Sequence, residues 1–176
     1  MKIVRAVVMI LVVFAAGVIF GRISRAGSTS PLGTDKIVQV GIVVKDIEKA
    51  SRAYAEILGT EVPDWFLTDT MDKAHTEFRG KPSEARARLA FIELKNITIE
   101  LIEPVGGPST WREFLEERGE GVHHLAFEVK GMDEKIKLLA ERGLPLLQKG
   151  DYEGGRYAYL DGVKRLAVIL ELLENF

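Results

Sequence analysis

Gly121-Val-His-His-Leu-Ala-Phe-Glu-Val129 decides the fold, because Ile37-Val-Gln-Val-Gly-Ile-Val-Val44 is an earlier copy of it. Aligning Gln39 with His124, an offset of 85 residues, superimposes these segments and carries the match on to Lys49 and Glu134. A second match sets Ile97-Thr-Ile-Glu-Leu-Ile102 against Val168-Ile-Leu-Glu-Leu-Leu173 and pairs Glu100 with Glu171. Self-similarity of this kind marks one supersecondary unit used twice. Each copy contributes one polar residue near its start and one glutamate near its end.

Working outward, Lys36 to Val44 is apolar and β-branched, a strand. Asp46 is placed to cap a helix carrying Ile47, Ala50, Tyr54 and Leu58, which Gly59 closes. A strand within Glu61 to Thr68 and a hairpin-like pair, Arg86 to Leu94 and Asn96 to Glu103, complete a βαβββ unit. The second unit has a strand over Val122 to Lys130 and a helix over Asp133 to Arg142, stopped by Gly143. Its further strands fall near Leu144 to Gln148, Arg156 to Leu160 and Leu166 to Leu173. Between the units, Ser109 to Arg118 reads as a linking helix, with Trp111, Phe114 and Leu115 on its apolar side and the neighbouring glutamates solvated. Residues 62–85 are polar and mixed, a long irregular excursion of the length at which loops are functional or disordered. The expected fold is α+β: two βαβββ modules forming paired curved sheets around a cavity, preceded by an N-terminal hydrophobic helix. Its divisions are an N-terminal segment, 1–27; a linker, 28–35; and a domain, 36–176, made of module one (36–105), the linking helix (106–120) and module two (121–176).

A chain of 176 residues that is 47% hydrophobic can bury a real core. Its net charge of −2 provides no broad basic field, so nucleic acid is not an expected partner. The chain has no cysteine, which excludes thiolate metal sites, disulfides and cysteine nucleophiles. Lys2 and Arg5 precede an uncharged apolar run from Ala6 through Gly21, which Arg22 and Arg25 close. With no polar face to pack against a core, this run is a signal or a membrane anchor, so the domain is expected to be membrane-anchored or exported.

Strand phase then selects the chemistry. Alternate residues share a face, so Gln39 lies with Gly41 and Val43, and His124 with Ala126 and Glu128, while His123 points to the opposite face. Small Gly41 and Ala126 leave room beside Gln39 and His124, and Glu100 and Glu171 enter from the strands that complete each copy. One imidazole nitrogen, one amide oxygen and two carboxylates suit a hard or borderline divalent ion. Taken singly, a glutamate between apolar strand residues is more often exposed than buried; four polar residues at repeat-equivalent positions make a stronger case. Arg86, Arg88 and Arg156 are candidate anchors for an anionic group, with surface salt bridges as the commoner use of such residues. His75, in the excursion, reads as an ordinary surface histidine.

The repeat, together with Phe114-Leu-Glu-Glu-Arg-Gly-Glu-Gly-Val-His-His-Leu-Ala-Phe-Glu-Val129 and Ile97-Thr-Ile-Glu-Leu-Ile-Glu-Pro104, resembles the vicinal oxygen chelate superfamily, which includes glyoxalase I and methylmalonyl-CoA epimerase. The resemblance covers Lys36 to Phe176. It implies metal ligation by Gln39, Glu100, His124 and Glu171, the glutamine standing where epimerases usually carry histidine. The metal would be a divalent ion: Zn, Ni, Co, Mn or Mg. The implied activity is that of a lyase, isomerase or epimerase moving a proton next to a carbonyl through a metal-stabilised enediolate, with Glu171 and Glu100 as candidate bases. A small-molecule carbonyl or thioester substrate and a homodimer are the implied partners. The alternative implied by other members is a non-catalytic small-molecule binding protein. An iron dioxygenase fits poorly, because its two histidines and carboxylate would have only His124 at the aligned positions.

Overall fold

The computed structural model describes residues 30–176, so the N-terminal apolar run lies outside the described residues. The first module comprises β1 (Gln39–Val43), α1 (Ile47–Leu58), β2 (Trp65–Leu67), α2 (Met71–Ala74), β3 (Glu77–Phe78), β4 (Lys81–Pro82), β5 (Ala85–Glu93) and β6 (Thr98–Gly106). The linking helix α3 (Thr110–Arg118) leads to β7 (Gly121–Glu128), α4 (Met132–Ala140), β8 (Leu146–Tyr152), β9 (Gly155–Leu160), α5 (Val163–Leu166) and β10 (Ile169–Asn175). The strands form one sheet in the order β2-β5-β6-β1-β7-β10-β9-β8-β3-β4. The expected paired curved sheets are the two halves of one sheet: β1 and β7, the first strands of the two copies, pair antiparallel and join both modules. Phe66 and Leu67 near one edge and Tyr152 and Tyr157 towards the other line the same cavity, so this sheet is strongly curled into a half-barrel.

Strand alternation sorts the layers. Ile42 and Val44 turn outward into a cluster with Ile47, Tyr54 and Leu101 beneath α1, whereas Val43 turns inward to Ile102, Trp111 and Tyr159. Leu125, Phe127, Leu170 and Leu172 form the equivalent outer cluster with Met132 and Leu139 of α4. Helices α1 and α4 thus cover the convex face and leave the concave face for a site. Helix α1 begins where the Asp46 side chain accepts a hydrogen bond from the Lys49 backbone N–H at 2.9 Å, and ends at Gly59 in the left-handed conformation. Its buried residues, Ile47, Ser51 and Ala55, follow a four-residue spacing; Leu58, expected on that face, is exposed.

The excursion is ordered. It leaves β2 at one end of the sheet and re-enters through β3, which pairs with β8 near the other end, so the intervening chain crosses the open side of the half-barrel. His75 Nδ1 lies 2.8 Å from Asp151 Oδ2 and ties this crossing to β8 from an exposed position. Among the described residues, no helix is long and apolar enough to cross a membrane.

Candidate metal centre

The strand registers explain how the repeat builds a site. In the first copy, Glu100 of β6 pairs with Gly41 of β1; in the second, Glu171 of β10 pairs with Ala126 of β7. Across the module boundary, Gln39 faces Ala126 and Gly41 faces His124. Each polar residue therefore opposes the small residue of the other copy, and the glutamates flank them from the next strands. A Cβ on Gly41 would fall 1.9 Å from Cε1 of His124, so the imidazole occupies the space that glycine leaves.

Gln39, Glu100 and Glu171 line a cavity of about 650 Å³, and His124 lies fully buried against the two glutamates. Its Nε2 is 3.0 Å from Glu171 Oε2 and 3.4 Å from Glu100 Oε2. All three atoms are sealed from solvent, yet none makes a hydrogen bond of acceptable geometry. Buried polar atoms are normally paired. One nitrogen and two carboxylate oxygens converging in this way are consistent with a divalent metal site, and their ligand atoms all lie within 4.8 Å of one another.

Without a metal, proton binding takes over part of that balance. Burial pushes the Glu100 carboxyl above its ordinary range and the nearby Glu171 charge adds to this, while the close approach of the His124 and Gln39 side chains acts against it. Burial alone would lower the His124 value; the Glu171 charge and the close approach of both carboxylates outweigh it and raise the imidazole to about 10.

His123 corrects the expectation from simple alternation. The β1–β7 register slips between Gly41 and Ile42, which face His124 and Val122, so His123 is the extra residue of a β-bulge. The bulge turns His123 inward beside His124, where it is buried, with the two Nδ1 atoms 3.0 Å apart. At that distance one ring donates and the other accepts. With His124 Nε2 directed at the carboxylates, His124 Nδ1–H donates to His123 Nδ1, leaving the His123 proton on Nε2, which has no hydrogen-bond partner among the described residues. Burial, with the His124 charge, holds the His123 imidazole well below its ordinary value, so it is neutral.

Two residues beyond the four expected ones shape the site. Tyr159 faces Glu171 across β9 and β10, and its hydroxyl accepts a 3.2 Å hydrogen bond from Trp111 Nε1 on the linking helix. Burial and the Glu171 and Glu100 charges hold this phenol well above its ordinary value. The alternation in Arg156-Tyr-Ala-Tyr-Leu160 placed both tyrosines on one face, a signal available in the sequence. The candidate anion anchors are committed elsewhere. Arg88 pairs with Glu103 at 2.9 Å over the Trp65 ring, Arg156 pairs with Glu174 and Asp133, and Arg86 donates to the Thr68 carbonyl.

Residues 38–159 match the glyoxalase/bleomycin resistance protein/dioxygenase superfamily. The uncharacterised protein YqjC of Bacillus subtilis is 27% identical over 143 residues, covering 80% of this chain and 92% of its own. The ethylmalonyl-CoA/methylmalonyl-CoA epimerase of Cereibacter sphaeroides is 29% identical over 126 residues, covering 69% of this chain and 81% of its own. Among solved structures, hypothetical protein BH1468 from Bacillus halodurans superimposes with a TM-score of 0.57 at 25% identity, covering 80% of this chain and 94% of its own. A methylmalonyl-CoA epimerase in complex with methylmalonyl-CoA and ammonium shares the fold, with a TM-score of 0.53 at 23% identity, over 80% of this chain and 94% of its own. The matched domain and the fold agree, and the chain belongs to the glyoxalase/bleomycin resistance protein/dioxygenase superfamily.

Proposed function

We propose that this protein is a metal-dependent enzyme that moves a proton on the carbon next to a carbonyl. The observation that carries the reading is the set of three buried, unpaired donor atoms on Glu100, His124 and Glu171 at the wall of a cavity. With Gln39 as a fourth donor, they would hold a divalent ion that polarises the substrate carbonyl and offsets the negative charge left on its oxygen when the carbon loses its proton. Glu100 and Glu171 occupy corresponding strands of the two copies, so either can serve as the base toward a substrate at the metal. One carboxylate removes the proton and either it or its counterpart returns one. The choice decides between exchange with retention and inversion at that carbon. A carboxyl raised by burial, as Glu100 is, serves better as a base near neutral pH than an ordinary one.

The test is solvent deuterium exchange at the α-carbon of α-hydroxycarbonyl and thioester compounds, followed by NMR on the metal-loaded protein. Glu171→Gln and Glu100→Gln preserve volume and an oxygen donor while removing the base, so at least one should lower exchange by about 100-fold or more. Tight ligand binding with no exchange by the metal-loaded wild type would instead identify a binding protein.

A further inference from the structure

We propose that the cavity selects a substrate whose body is uncharged or cationic, and that it rejects coenzyme A thioesters. The inference rests on the metal-assisted reading above and adds the class of molecule that reaches the metal-binding residues. The observation is the distribution of charge along the wall. Beyond Gln39, Glu100 and Glu171, the cavity is walled by aromatic side chains, among them Phe66, Phe91, Trp111, Tyr157 and Tyr159. Asp69, Asp151 and Glu153 also line it, and all three are exposed to solvent, which places them at its mouth. Among the described residues, no lysine, arginine or histidine lines it.

A bound divalent ion would cancel the two glutamate charges and leave the mouth carboxylates to set the field. Two neighbouring cations offset it only in part: Lys73 lies 3.9 Å from Asp69, and the His75 contact to Asp151 at 2.8 Å is charged only when the imidazole is protonated. Glu153 has no such partner among the salt bridges of the described residues. Of the arginines expected to receive an anionic group, Arg88 is held by Glu103, Arg156 by Glu174 and Asp133, and Arg86 donates to the Thr68 carbonyl. A thioester chelated at the base of the cavity would carry its coenzyme phosphates out past Asp69, Asp151 and Glu153, where they meet like charge and only two basic side chains, Lys73 and His75, which already contact Asp69 and Asp151. An ammonium at the same place meets carboxylates and aromatic faces together, a combination that favours cations.

Full-length protein loaded with Zn²⁺ or Ni²⁺, with metal content measured separately, should be titrated with three probes sharing one vicinal-oxygen head. Benzohydroxamate is neutral, para-aminomethyl-benzohydroxamate is cationic and para-carboxy-benzohydroxamate carries an added anion; methylmalonyl-CoA is the competitor. At low ionic strength the cationic probe should bind at least about tenfold more tightly than the anionic one, with the neutral probe between them. Salt should compress this order, and so should Asp69→Asn/Asp151→Asn/Glu153→Gln, with Glu153→Gln alone showing the same trend at smaller size. Equal or reversed affinities on metal-loaded protein, or displacement of the neutral probe by methylmalonyl-CoA at equal concentration, would overturn the charge selection and leave the metal reading standing. Failure to take up metal, with no probe bound, would overturn both.

Discussion

Gly41→Ala should weaken metal binding while leaving the fold intact. The added Cβ would lie 1.9 Å from Cε1, 2.3 Å from Nε2 and 2.4 Å from Nδ1 of His124. Non-bonded carbons rest about 3.5–4.0 Å apart, so the ring must retreat by roughly 1.5 Å or more. It has little room to do so. His124 is fully buried, its Nδ1 is 3.0 Å from His123, and the Tyr159 ring centroid is 5.0 Å away. A retreat of that size separates Nε2 from Glu171 and Glu100, which now lie 3.0 and 3.4 Å from it. Gly41 is not among the glycines with positive φ, so alanine introduces a steric clash without backbone strain. Overpacking of this kind costs about 1–3 kcal/mol of stability. Metal affinity should fall by about 100-fold, the upper end of the effect of disturbing residues that orient a ligand. Metal analysis after dialysis and urea unfolding measure both quantities. In a His124→Ala background the same Gly41→Ala change should cost less than about 0.5 kcal/mol, because the clashing ring is gone. Equal costs in both backgrounds, or unchanged metal affinity of the single variant, would refute the steric reasoning.

Metal uptake near pH 7.5 should release about one proton, because the His124 imidazole, raised to about 10, must lose one to bind through Nε2. Calorimetric heats independent of the buffer's ionisation enthalpy would contradict this. For the metal-free protein, the folded state holds more protons at His124 and Glu100 than the unfolded chain. The His124 contribution is therefore complete below about pH 6.5 and is lost as pH rises through about 10, and urea midpoints should fall over that window. His123→Phe leaves the buried His124 Nδ1–H unpaired and should cost about 1–3 kcal/mol, with a 10- to 100-fold weaker metal affinity, both recoverable in part with an acceptor in His123→Gln. The apolar run from Ala6 through Gly21, outside the described residues, is proposed to anchor or export the domain. Fractionation should place full-length protein in the membrane or outside the cytoplasm, and an intact N-terminus found only in the soluble cytoplasmic fraction would count against both.

The sequence by itself determined the repeat, the caps of α1 and the strand positions from which Glu100, His124 and Glu171 meet. These follow from local rules: side chains alternate with a period of two along a strand, and a unit used twice places equivalent residues around a common axis. Tertiary structure decided what those rules do not contain. The bulge that turns His123 inward depends on how β7 pairs with β1, which no property of the His123-His124 pair specifies. The fusion into one sheet and the crossing of the excursion to β8 are long-range pairings between segments whose own composition gives no partner. The fate of Arg86, Arg88 and Arg156 was equally hidden, because a long cation reaches whichever acceptor the fold brings near it: Arg88 and Arg156 meet Glu103 and Glu174, neither of which lines the cavity, while Arg86 is held by the carbonyl of Thr68 at the cavity wall. Gly41 joins the two levels. Its small size was legible in the chain, but only the packing of β1 against β7 shows that the missing side chain makes room for the His124 ring.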